Sequence, residues 1–154
     1  MVYLWIADST VHCRSDGTDP GWSIRVSDIV LVAEYTTDSG PAVDDYFLVF
    51  VTRESGELFY SSVTMSAAGI NTVLEDLEKQ LGGALEMRLT ASRRWASRVV
   101  WPPHLVNVEY LEAEEPPEPE GLAERLMRKF RGAQPEYRVA DRILQALTVT
   151  RPVA

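Results

Sequence analysis

Chemically specialised residues are scarce in this chain of 154 residues. It has one cysteine, Cys13, and two histidines, His12 and His104. A lone cysteine excludes an intramolecular disulfide and fits a reducing compartment. None of the metal-ligand spacings CxxC, HxxxH or HExxH occurs. Asp16 and Asp19, in SDGTDPG, lack the alternation and the closing glutamate of an EF-hand loop, so they are expected to cap their own turns. The nine glycines are scattered at turns rather than gathered in a phosphate loop. Gly82 and Gly83 end a helix-like stretch, which presents carbonyls where a phosphate needs N–H groups.

Nucleophilic constellations are equally thin. His12 and Cys13 are neighbours in a strand-like run and point to opposite faces, so they form no dyad with each other. The longest apolar run, YFLVFV at 46–51, has the length of a buried strand and falls far short of a membrane span. The stretch MVYLWIADST has no basic n-region. These absences lead us to expect a cytoplasmic protein with no metal, no cofactor and no membrane partner. Lysine is also rare, 2 against 13 arginines, which we read as bacterial base-composition bias rather than chemistry.

What is present describes a globular protein: 45% hydrophobic, 25% charged, with four tryptophans. The formal net charge of −8 is unevenly spread. Residues 1–80 carry −9, residues 81–111 carry +2, residues 112–120 carry −5 and residues 121–154 carry +4. An acidic chain repels phosphate, so no nucleic-acid partner is expected.

The first half alternates like strands at 2–7, 10–14, 22–26, 29–37, 46–53 and 57–64, with turn formers between them. Gly56 suits a hairpin turn in ESGE. Residues 70–81 place Ile70, Val73, Leu74, Leu77 and Leu81 on one face, which predicts a helix ended by Gly82. Thr72 and Glu75 match a capping box there. Further strands are expected at 84–90 and 106–112. The fold class is therefore α+β: a rolled or strongly bent antiparallel sheet of six to eight strands with one packed helix and a C-terminal helical tail. A pleckstrin-homology-like roll is one shape that suits this order; no motif carries a family resemblance.

EAEEPPEPE at 112–120 breaks the pattern, because its glutamates repel and its prolines stay extended. This divides the chain into an α+β domain (1–111), a Glu/Pro-rich linker (112–120) and a tail (121–154). The bare PxxP of Pro116 and Pro119 has wholly acidic flanks, so it reads as linker rather than ligand. In the tail, residues 122–132 are expected to form a basic amphipathic helix with Leu122, Ala123, Leu126, Met127 and Phe130 on one face. A second helix is expected at 138–147, with Ala140, Ile143, Leu144 and Leu147 aligned.

SRRWASRVVWPPHL at 92–105 is the remaining question, since Trp95, Arg98 and Val99 suit a strand or a helical turn. As a strand it puts Trp95, Val99 and Trp101 on one face and Arg94 and Arg98 outside, a half-buried strand with a solvated arginine face. Tryptophan and arginine are also enriched in binding hot spots. The functional expectation is thus a non-enzymatic interaction or accessory module, of adaptor or immunity type. Its partner is an unidentified protein or a second copy, and its candidate contacts are Trp95, Arg98, Trp101, Leu126, Met127 and Phe130. The rival is a small enzyme or ligand carrier whose pocket uses Asp44, Asp45 and His104.

Overall fold

The computed structural model describes residues 1–37, 44–90, 95–114 and 136–149. The chain divides into two compact units, Met1–Tyr110 and Leu111–Ala154.

In the first unit the strands follow the alternation closely: β1 (Val2–Ala7), β2 (Thr10–Ser15), β3 (Trp22–Arg25), β4 (Ile29–Thr36), β5 (Tyr46–Glu54) and β6 (Glu57–Thr64). The helix α1 spans Ile70–Leu81 and a last strand, β7, spans Ala96–Trp101. All pairing between these strands is antiparallel, in a three-stranded sheet ordered β1-β2-β3 and a four-stranded sheet ordered β6-β5-β4-β7. The α+β class is thus met, and the sheet is not closed.

Both sheets and α1 share one core. Leu4, Val11 and Ile24 of the first sheet meet Val32, Leu48, Phe50, Val63 and Val100 of the second, under Ile70, Val73, Leu74 and Leu77 of the helix. Fully burying such side chains is worth about 1.5–3 kcal/mol each. The other face of the four-stranded sheet is apolar too, with Leu31, Ala33, Val49, Val51 and Val99 buried.

Four local expectations fail for identifiable reasons. The capping box does not form: α1 starts two residues before Thr72, after Gly69 at φ 88°, with no side-chain cap. Tertiary pairing sets that start. Leu4 N–H donates to the Ala68 carbonyl (2.9 Å), and a Cβ on residue 69 would lie 2.3 Å from the Leu4 carbonyl oxygen. Residues 84–89 keep the expected in–out alternation but join no ladder. Carboxylates take their N–H groups instead: Leu85 donates to Glu78 Oε1 (2.9 Å) and Arg88 to Glu34 Oε1 (2.8 Å).

The strand expected at 106–112 gives way to a tight return after the 3-10 turn Pro103–Leu105. Asn107 adopts φ 69°, its N–H donates to the Val99 carbonyl, and Val99 N–H donates to the Val108 carbonyl. Asparagine tolerates that left-handed conformation better than most residues.

In the second unit, β8 (Leu111–Glu114) pairs antiparallel with β9 (Glu136–Val139), followed by α2 (Asp141–Val149). The fourth correction lies here. Residues 112–114 belong to a strand rather than a linker, and the second tail helix begins at Asp141 because Arg138 and Val139 are taken by β9. Ala140, Ile143 and Leu147 are buried as their spacing implies. The helix expected at 122–132, with Leu126, Met127 and Phe130, lies outside the described residues. No helix among the described residues is long and apolar enough to cross a membrane.

Candidate functional site

Residues 96–101 are a strand, and this decides the fate of the arginine within it. Arg98 stands directly opposite Glu34 across β7 and β4, on the face that packs toward α1. It is only 7% exposed and Glu34 is fully buried. The expected solvated arginine face is therefore wrong at Arg98.

Its guanidinium makes three hydrogen bonds inside the protein. Nη1 donates to Glu34 Oε1 (2.6 Å) and to the Glu86 carbonyl (2.7 Å), and Nε donates to Asn107 Oδ1 (3.0 Å). Glu34 also accepts the Arg88 N–H at Oε1 and the Tyr46 hydroxyl at Oε2. Burial, reinforced by the hydrogen bond to Glu34, pushes the Tyr46 phenol well above its usual range. These bonds join β4, β7 and the return at Asn107, so the cluster braces them.

The tryptophans flanking Arg98 are not one surface with it. Trp95 is half-buried just ahead of β7. A register shift between Val32 and Ala33 pairs Val32 with Trp101, and Trp101 packs, half-buried, on the shared core. Its ring borders an open depression of about 400 Å³ with Leu81 and Ile29.

The carboxylates proposed for a pocket separate as well. A cleft of about 270 Å³ lies beside β2 and β6, lined by Cys13, Asp19, Trp22, Asp44, Phe47 and Val63 among others. Asp44 is in it; Asp45 and His104 are not. Asp44 Oδ1 accepts the Ser66 hydroxyl, and Asp19 Oδ1 accepts the Gly21 N–H. Burial, and then the Asp19 charge, pushes the Cys13 thiol up. Among the described residues, no three His, Cys, Asp or Glu side chains are grouped to hold a metal.

The most exposed aromatic grouping lies elsewhere, on the outer side of the three-stranded sheet. In β1, Val2, Leu4 and Ile6 turn inward, which leaves Tyr3 (40% exposed) and Trp5 (39%) facing out. The two-residue turn Asp8–Ser9, with both φ near 50°, pairs Trp5 with His12 and Tyr3 with Arg14. The Trp5 and His12 rings stack at 5.2 Å, and His12 Nδ1 lies 2.8 Å from Ser23 Oγ on β3. Arg14 and Arg25 are exposed on the same face, and neither has a carboxylate partner within 4 Å among the described residues.

No known protein family, curated protein or solved structure matches the chain. Function must therefore come from the surfaces themselves.

The sequence held a usable signal for this face. Strand-like runs at 2–7 and 10–14 are separated by two residues, which is a hairpin spacing, and that spacing sets His12 opposite Trp5. It did not show which face was outer, because Val2, Leu4 and Ile6 are no more apolar in pattern than Tyr3, Trp5 and Ala7.

Proposed function

We propose that this chain is a non-enzymatic protein-interaction module, and that its contact surface is the outer face of the β1-β2-β3 sheet. One observation carries the reading: the Trp5–His12 stack stands exposed between two arginines that have no carboxylate partner among the described residues. Tryptophan, tyrosine and arginine dominate binding hot spots, because large rigid rings and planar guanidinium groups gain most when water is excluded. The buried Arg98 is removed from the set of contacts, since it is 7% exposed and paired with Glu34. We place the module in the reducing cytoplasm, on the strength of its single buried cysteine, with no nucleic-acid or membrane partner and no cofactor.

The test compares capture from native lysate by the full chain and by its Trp5→Ala and Arg14→Gln/Arg25→Gln variants, read by mass spectrometry. A partner retained by the wild type and lost by both variants supports the reading. Capture that is indifferent to all three substitutions refutes it.

A second reading, a small ligand carrier or enzyme with a carboxylate-lined pocket, draws on the cleft that holds Asp19 and Asp44. At about 270 Å³ it falls just below the usual volume for a drug-sized ligand. A metabolite panel that raises the melting temperature of the wild type and leaves Asp44→Asn unmoved would favour it.

A further inference from the structure

The outer face of the first sheet has a spacing as well as a composition. Arg25 stands opposite Thr10, Trp5 opposite His12, and Arg14 beside Tyr3, so the three rungs sit at positions 10, 12 and 14 of β2. A strand rises about 3.4 Å per residue, which puts about 7 Å between successive rungs and about 14 Å between the two arginine rungs. Along the strand direction the aromatic stack lies midway, with Arg25 on β3, Arg14 on β2 and the stack bridging β1 and β2.

We propose that this face binds an extended acidic segment of a partner protein, with carboxylates at positions i and i+4 and an apolar residue or proline at i+2. The proposal rests on the interaction-module reading and gives that partner its chemistry. An extended peptide advances by nearly the same rise as the strand beneath it, about 3.1–3.4 Å per residue. Carboxylates four residues apart therefore span about 12–14 Å and reach both guanidinium groups together. Each guanidinium offers a fork that matches a carboxylate. The residue between them falls at the middle rung, where the Trp5–His12 stack offers a flat surface for a proline ring or aliphatic chain.

Charge selects this occupant over others. The chain as a whole is −8, so a long polyphosphate is repelled at a distance, whereas a short acidic segment meets only the local pair of arginines. The chain's own residues 114–118, EEPPE, carry the i, i+4 pattern. Docking of that segment from a second copy is one of the outcomes that the experiment below separates.

The experiment uses the full chain and fluorescein-labelled, end-blocked peptides containing Glu-Ala-Pro-Ala-Glu, Glu-Pro-Glu or Gln-Ala-Pro-Ala-Gln, with a single-stranded oligouridine as control. Anisotropy is read at low and moderate salt. The i, i+4 peptide is expected to bind about tenfold or more tighter than either alternative, with affinity falling as salt rises. Arg14→Gln and Arg25→Gln are each expected to weaken it about tenfold, the scale of one charge-assisted pair, and Trp5→Ala to remove it. All three variants are surface changes, and unchanged circular dichroism and melting temperature check that they fold.

Equal binding of the three peptides overturns the proposal, as does indifference to the arginine substitutions or tighter retention of oligouridine. Concentration-dependent dimerisation that Arg14→Gln abolishes also overturns it, in favour of the chain's own acidic segment. If no peptide binds at 1 mM (about the weakest affinity worth a contact) while lysate capture still depends on Trp5, the acidic partner is wrong and the interaction face stands. If that capture is also insensitive to Trp5, both are wrong.

Discussion

Replacing Arg98 by methionine is the sharpest test of how this fold is held. The substitution keeps a long side chain on β7 but removes the cation that Glu34 faces. Glu34 is fully buried, and its other partners are the Arg88 N–H and the Tyr46 hydroxyl, both neutral. Breaking one side of a buried ion pair leaves an uncompensated charge and costs about 3–5 kcal/mol. Asn107 Oδ1 and the Glu86 carbonyl lose their donors as well, although both lie nearer the surface and can turn to water.

Against a typical domain stability of about 5–15 kcal/mol, that loss is a large fraction of the whole. Arg98→Lys should cost less, because the charge stays while a single ammonium cannot serve three acceptors in fork geometry. Adding Glu34→Leu to Arg98→Met should recover part of the loss, since no buried charge is then left alone. Urea unfolding followed by tryptophan fluorescence and circular dichroism gives each value. A solvated surface arginine would change stability by about 0.5 kcal/mol or less. An Arg98→Met cost below about 1 kcal/mol, or a double variant no better than the single, would refute the buried-pair account.

Other consequences are as direct. The Tyr46 and Tyr110 phenols are both pushed up, chiefly by burial. Their contribution is therefore intact below the ordinary tyrosine value near pH 10 and is lost as pH rises above it, because only the unfolded chain ionises readily. Stability should fall from about pH 10 upward, and Tyr46→Phe should flatten that fall while lowering stability at neutral pH by about 1–3 kcal/mol, the cost of leaving Glu34 Oε2 unpartnered. Calorimetry across pH reads both effects. Gly69→Ala should destabilise by more than Gly82→Ala: both sit at positive φ, but only residue 69 would drive its Cβ against the Leu4 carbonyl. The Gly82 change should stay near 1–2 kcal/mol, the left-handed penalty alone. Cys13, buried and with its thiol pushed up, should react with a disulfide reagent at pH 8 about tenfold or more slower than a free cysteine. Asp19→Asn should speed that reaction, and equal rates would contradict the burial.

Much of this was legible in the sequence. Alternation marked six strands of the first unit to within a residue or two, and the 3.6-residue period marked α1 and its end at Gly82, because both signals record which side chains meet water. The candidate face was half legible: the hairpin spacing pairs Trp5 with His12, yet both faces of β1 are apolar enough to be the core. The tail contacts Leu126, Met127 and Phe130 lie outside the described residues.

What the sequence alone determined is local: the period of each element and its turn chemistry. What only the tertiary structure decided is where non-local partners meet. Arg98 looks like a surface residue until β4 supplies Glu34, sixty-four positions earlier, to share its burial. Residues 84–89 look like a strand until two carboxylates take the N–H groups that a ladder would have used. Helix α1 starts at Ile70 rather than behind a Thr72 cap because β1 pairs with Ala68 and fixes the backbone there. In each case the deciding atom is a hydrogen-bond partner far away in the chain, and no window of neighbouring residues contains it.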